Sequence, residues 1–126
     1  MTNNQRTRPP TTRRGITHKI EVTGANVYVT LNRIDGPESL PCELFVTLNN
    51  EDNEAPIDAA HQGWANLAAT LASICLQYGC PLAVIACKMR GYSFKPDGGL
   101  GRDGSKSIPD AIGKFLEAQL IMEDDK

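Results

Sequence analysis

The apolar residues of this chain change their spacing once, near residue 50. Between Thr17 and Leu48 they recur at every second position, and beyond Pro56 at every third and fourth. A period of two marks a strand with one buried face, and a period near 3.6 marks an amphipathic helix. A run of strands followed by a run of helices predicts an α+β domain: a three-stranded antiparallel meander, then three helices packed on one face of the sheet. No repeat at a fixed period competes with that reading.

In the first strand His18, Ile20 and Val22 point one way while Thr17, Lys19 and Glu21 point the other. Thr23-Gly24-Ala25-Asn26 supplies a turn, after which Val27, Val29 and Leu31 alternate with Tyr28, Thr30 and Asn32. A loop at Asp35-Gly36-Pro37 ends the second strand. Cys42, Leu44, Val46 and Leu48, alternating with Glu43, Phe45 and Thr47, make the third. Pro56 suits a first helical turn, and Ala60, Trp64, Leu67, Leu71, Ile74 and Tyr78 are expected as the buried stripe of a long helix that Gly79 ends. Pro81 opens a shorter helix with Leu82, Ile85 and Met89 on one face, stopped by Gly91. Ser107 caps the last helix, with Asp110 three residues on, and Ile108, Ile112, Phe115 and Leu116 form its buried stripe.

The 126 residues fit one domain. Residues 1–13 have almost no apolar content and are expected to form a disordered basic arm; residues 14–120 form the domain and 121–126 an acidic tail. Cys42, Cys75, Cys80 and Cys87 stand in apolar contexts without a CxxC pair and read as reduced core thiols of a cytoplasmic protein. Their apolar stripes should raise their pKa values. Apolar stretches broken by Gln77, Gly79 and Lys88 are too short for a membrane span. The net charge of -2 argues against a general or sequence-specific nucleic-acid binder, although Arg6, Arg8, Arg13, Arg14 and Lys19 make the front end locally basic.

Two segments carry candidate binding chemistry. The first is the glycine-dense stretch Phe94 to Ser107, with Gly98, Gly99, Gly101, Arg102 and Lys106. It matches GxGxxG literally but lacks the preceding buried strand, and it misses a P-loop by the extra Ser105. What remains is either an anion site, from free amides at a helix start flanked by two cations, or an exposed loop. The second runs through Arg13, Arg14, Thr17, His18 and Lys19, where arginines can hold phosphate in bidentate fashion, or where a basic arm is simply solvated. His18 shares an apolar face, which suits a core histidine; His61 suits a helix surface. The two are too far apart in sequence for a metal-ligand pattern, and neither metal nor cofactor is expected. No serine or cysteine has a base nearby in sequence, so no catalytic residue is assigned and a non-enzymatic role is expected, with carboxylates such as Asp58 and Asp110 left as an open alternative. Trp64 and Tyr78 read as core. Tyr28, Phe45 and Phe94 could stack on a base, or be packed by a helix on their own face.

Five segments in order resemble a known family: Arg14-Gly15-Ile16-Thr17-His18-Lys19, Glu43-Leu44-Phe45-Val46, Leu76-Gln77-Tyr78-Gly79-Cys80-Pro81-Leu82, Phe94-Lys95-Pro96-Asp97-Gly98 and Lys106-Ser107-Ile108-Pro109-Asp110-Ala111-Ile112. They are similar to the TSCPD domain at the C-terminus of vitamin-B12-dependent (class II) ribonucleotide reductases. The resemblance implies a domain that follows the catalytic barrel and does not itself perform radical chemistry. The 126 residues end in Ile121-Met122-Glu123-Asp124-Asp125-Lys126 and not in the Thr-Ser-Cys-Pro-Asp tail that names the domain, so a metal or redox role tied to that cysteine is not carried over from the resemblance. A stand-alone copy suits the compact genome of a phage or mobile element. Two functions are therefore expected in competition. In one, Arg14, Thr17, His18 and Lys19 join Phe94, Gly98, Gly99, Gly101, Arg102, Lys106 and Ser107 to hold a nucleotide or cyclic nucleotide, sensing it or sequestering it from host defence. In the other, the chain is an accessory module that docks on a ribonucleotide reductase or another protein. Homo-oligomerisation is expected under either, because the sheet has two edges and the helices much apolar surface.

Overall fold

The computed structural model describes residues 5–22, 25–34, 40–50, 58–92 and 107–124. Strands β1 (Arg14–Val22), β2 (Ala25–Arg33) and β3 (Pro41–Asn50) precede helices α1 (Ala59–Gln77), α2 (Leu82–Met89) and α3 (Ile108–Asp124). The strands pair antiparallel in the order β1-β2-β3, giving the expected α+β meander. β1 starts earlier than its alternation suggests, since Arg14, Gly15 and Ile16 pair with Arg33, Asn32 and Leu31. Register lines apolar residues across the sheet, with Ile20 beside Val27 and Leu48, and Ile16 beside Leu31 and Leu44. This file faces the helices, and apart from Ile16, which is exposed, it builds the core with Leu76, Leu82, Ala86, Ile112 and Leu116. Each fully buried Leu or Val contributes roughly 1.5–3 kcal/mol to folding.

The opposite sheet face carries no helix among the described residues. Thr17 and Thr30 hydrogen-bond across it at 2.7 Å, and Phe45 beside Thr30 is exposed. Helical packing over Phe45, one of the two expectations for it, is therefore overturned: the odd positions of β3 point away from the helix layer.

The long helix reverses the expected stripe. Ala69, Ser73, Leu76 and Gln77 are its buried residues, while Trp64 is 72% exposed and Leu67, Leu71 and Tyr78 are also exposed. The cause lies in the sheet edge. An edge strand presents unpaired amides and carbonyls, and burying them unsatisfied is costly. α1 lies along β3 and answers these groups with its own polar side chains. Gln62 Oε1 accepts from the Leu48 amide at 2.8 Å and Gln62 Nε2 donates to the Val46 carbonyl at 3.0 Å. Ser73 Oγ accepts from the Leu44 amide at 2.8 Å, and Gln77 Nε2 donates to the Cys42 carbonyl at 2.9 Å. At about 100° per residue, Gln62, Ala69, Ser73 and Leu76 share one face and the Trp64, Leu67, Leu71 row lies opposite.

The helix ends follow local chemistry. Asp58 Oδ1 caps α1 by accepting from the His61 amide at 2.9 Å, and Pro56 lies outside the described residues. At the other end Gly79 adopts φ +97°, with Cys80 N bonded to Cys75 O at 2.9 Å and Gly79 N to Leu76 O at 3.0 Å, a Schellman motif that satisfies the last carbonyls. Gly91, at φ +84°, follows α2 in the same left-handed region. α3 passes so close to the end of α2 that a Cβ on Gly113 would stand 2.5 Å from Arg90 N. Of the four cysteines only Cys42 is buried; Cys75 and Cys87 are exposed and Cys80 half-buried, which corrects the core reading for those three. Cys75 and Cys87 sit on helix faces that the sheet does not cover, and Cys80 lies in the turn between α1 and α2. Residues 5–13 form no strand or helix, yet Thr7 N bonds to Gln77 O at 2.8 Å and Arg13 pairs with Glu43. No helix among the described residues is long and apolar enough to cross a membrane.

Candidate functional site

The strand conformation of β1 divides the residues that the sequence grouped. Consecutive side chains of a strand face opposite sides, so Arg14 and His18 share the helix side while Thr17 and Lys19 take the other. Thr17 is engaged with Thr30. His18 is exposed, not the core histidine its pattern suggests, because the helix layer thins at the β1 edge. Its ring stacks on Phe115 of α3 at 5.3 Å between centroids and 8° between planes. A shallow cleft of about 460 Å³ runs between β1 and α3, bordered by His18, Lys19, Ile20, Glu21, Ala111, Lys114 and Phe115. Arg13 is committed elsewhere: Nε and Nη2 meet the two Glu43 oxygens at 2.7 and 3.1 Å, and Nη1 donates to the Pro10 carbonyl at 2.8 Å.

That pair sets the local electrostatics. Burial pushes the Glu43 carboxyl upward, but hydrogen bonds from Arg13 and Asn32 and the Arg13 charge outweigh it and hold the group below its ordinary value. The Cys42 thiol is pushed up, first by burial and then by the neighbouring Glu43 charge. Gly15 makes room for the network, since a Cβ there would fall 2.1 Å from Asn32 Oδ1, whose amide nitrogen donates to Glu43 at 3.1 Å.

Of the second segment, Phe94, Gly98, Gly99, Gly101, Arg102 and Lys106 lie outside the described residues. Its two stems lie within the described residues. Ser107 Oγ accepts from the Asp110 amide at 3.1 Å, as a helix cap should, and donates to the Tyr92 carbonyl. Asp110, 2% exposed, accepts from Gly91 N at 2.5 Å. Its carboxylate therefore stands in the first turn of α3, where the helix dipole favours an anion. Asp58 caps α1 and Asp110 ties α2 to α3, so each has a local structural task. Among the described residues no three His, Cys, Asp or Glu side chains cluster as metal ligands do.

Both stems open on a larger cavity that the sequence did not reveal. It measures about 510 Å³ and is lined almost wholly by apolar groups, within the roughly 300–1,000 Å³ of small-molecule sites. Leu44, Val46 and Leu48 of β3 form its floor. His61, Trp64, Ala65, Ala68 and Ala69 of α1 make one wall, and Met89, Tyr92, Ile108, Pro109 and Ile112 make the other. Trp64 reaches this rim because α1 turns its polar stripe to the sheet edge. The spacing of Trp64 with Leu67 and Leu71 suggests core, and no local signal distinguishes the two faces.

The matched span of a known family covers the three strands, α1, α2 and α3 as far as residue 120. The model of the TSCPD domain matches residues 3–120. The chain is similar to the vitamin B12-dependent ribonucleotide reductase of Rhodopirellula baltica, with 31% identity over 115 residues. That alignment takes in 89% of this chain and 10% of that protein, so the chain spans about a tenth of the relative's length. No solved structure matches it. The sheet, the α1 edge cover and the cleft between α1 and α3 thus fall within one matched unit, and the chain belongs to the TSCPD domain family.

Proposed function

We propose that this protein binds a nucleotide without transforming it, with the base in the apolar cleft between α1 and α3. The observation that carries the reading is the cleft itself: a ligand-sized cavity with Trp64, Tyr92 and His61 on its walls, and with Tyr92 and Ile108 at the stems of the glycine-dense segment. Aromatic walls suit a planar base because every base has a π face, and stacking contributes about 1–3 kcal/mol per base. The same segment supplies Arg102 and Lys106 in sequence, cations suited to phosphate. The family context also favours the reading, since the relative's name is that of an enzyme acting on ribonucleotides. Binding without turnover reports a nucleotide or holds it out of circulation, and a phage-encoded copy would serve the second purpose against a host nucleotide signal.

The chain's single tryptophan is Trp64, so intrinsic fluorescence reads the cleft directly. Titration with nucleoside triphosphates and cyclic dinucleotides at fixed protein concentration should give a saturable change for at least one ligand, matched by heat in calorimetry. Ala65→Leu, which narrows the cleft, should weaken that response severalfold while leaving the fold intact by circular dichroism. Absence of both heat and fluorescence change across the whole ligand set would overturn the reading.

A further inference from the structure

The outer face of α1 is built as a helix-pairing seam. Ala60, Trp64, Leu67, Leu71, Ile74 and Tyr78 follow one another at alternating spacings of four and three, the a/d repeat of a coiled coil. None of these residues belongs to the buried face of the helix, and the largest of them are exposed. A surface helix of a lone globular domain normally turns such a row inward. Here the inward face is taken by the residues that close the β3 edge, so the seam is left over. A contiguous exposed apolar row of this kind marks an interaction surface.

We propose that the occupant of this seam is a second copy of the chain, with the two α1 helices packed antiparallel about a twofold axis level with Ala69. Two features of the helix single out self-pairing. From Ala59 to Gln77 it contains no Asp, Glu, Lys or Arg, so two copies meet without like-charge repulsion although the whole chain carries a net charge of -2. A partner chosen by charge would find nothing to read on this face. The side-chain sizes are also self-complementary. About an axis at residue 69, Leu67 faces Leu71 of the other copy, Trp64 faces Ile74, and Ala60 faces Tyr78. Each bulky ring thus meets a smaller side chain, and a and d positions pack against each other as an antiparallel pair requires. A parallel pairing would set Trp64 on Trp64 and Tyr78 on Tyr78, and would leave a gap between the two Ala60 methyls. Isologous contact of this type closes on itself and gives a dimer, not a filament.

The inference does not depend on nucleotide binding, though the paired helix would cover the outer side of Trp64 at the cleft rim. Light scattering coupled to size exclusion tests it on the full chain. The native protein should run at twice its 13.7 kDa chain mass, and Leu71→Glu and Leu67→Lys should each run at the single mass with unchanged far-ultraviolet dichroism. Mixing those two variants should restore the double mass. In the antiparallel register the ammonium introduced by Leu67→Lys would face the carboxylate introduced by Leu71→Glu, while the second central layer keeps its leucines. A native protein that stays at the single mass at micromolar concentration overturns the proposal, including where it forms a complex with a reductase through α1. So does a folded Leu71→Glu variant that keeps the double mass. Failure of the mixed variants to pair, with the native protein dimeric, overturns the antiparallel register.

Discussion

Ser73 Oγ accepts the backbone amide of Leu44 at 2.8 Å, joining the middle of α1 to the outer edge of β3 through one buried hydroxyl. Its own proton is within reach of the Leu44 carbonyl at 3.2 Å and the Ala69 carbonyl at 2.8 Å. With Gln62 and Gln77 it replaces the strand that β3 lacks. The arrangement closes one edge of the sheet to further strand pairing while leaving the apolar row of α1 on the outside.

Truncating this hydroxyl should cost more than an ordinary surface hydrogen bond, because the Leu44 amide would be left buried without an acceptor. Ser73→Ala is expected to lower the unfolding free energy by about 1–3 kcal/mol, read from urea denaturation. A loss within about 0.5 kcal/mol would mean that α1 does not hold the β3 edge in this way.

Gly113 and Gly63 should respond oppositely to the same substitution. Alanine is favoured over glycine inside a helix by about 1 kcal/mol. At Gly63 nothing lies within 4 Å of a new Cβ, so Gly63→Ala should stabilise by up to about that amount. At Gly113 the new methyl meets the backbone of Met89 and Arg90 at under 3.0 Å, and α2 must move away from α3. Gly113→Ala should therefore destabilise despite the better helix propensity. Paired thermal melts of the two variants would show the opposite signs.

Strand alternation and helix termini were legible in the sequence because their causes are local. The in-facing residues of β2 and β3, the Gly79 turn and the Ser107 cap each follow from a few neighbouring side chains. Which face of α1 is buried was not local. The apolar row Trp64, Leu67, Leu71 suggests the core, whereas the polar residues Gln62, Ser73 and Gln77 take that place because an unpaired strand edge demands hydrogen bonds. The candidate site was hidden for the same reason. His18 was found but sits on an exposed stack, and the cleft of Trp64, Tyr92 and Ile108 depends on that orientation of α1 and on the approach of α3.

Glu43 should make the protein acid-sensitive. Its folded-state carboxyl titrates below its ordinary value, so the unfolded chain takes up a proton at higher pH than the folded one. The stabilisation is present above the unfolded value, about 4.3, and is lost as pH falls through the folded value. Glu43→Gln removes it at neutral pH only. The melting-temperature difference between native and variant should hold steady from about pH 6 to 8 and shrink below about pH 4. A difference that persists unchanged in acid would show that the Arg13 contact contributes through shape and not through charge.

Three of the four thiols, Cys42, Cys75 and Cys87, should separate by their place in the fold. Thiolate is the reactive form, so a buried thiol whose pKa is raised reacts slowly even where reagent can reach it. Cys42, facing the core from β3, meets both conditions, since it is 1% exposed and is pushed up by burial and by Glu43. Cys87 is exposed on α2, and Cys75 is exposed on α1 beside the seam proposed to bind a second copy. With an aromatic disulfide reagent at pH 8, Cys87 should label fastest, and Cys75 should join it at concentrations below those at which α1 pairs. Cys42 should label only at the rate of global or local opening, which urea would accelerate. Peptide mapping of the labelled protein assigns each site. If Cys42 labels alongside Cys87 in the absence of denaturant, α1 opens from the β3 edge far more readily than the Gln62, Ser73 and Gln77 contacts imply.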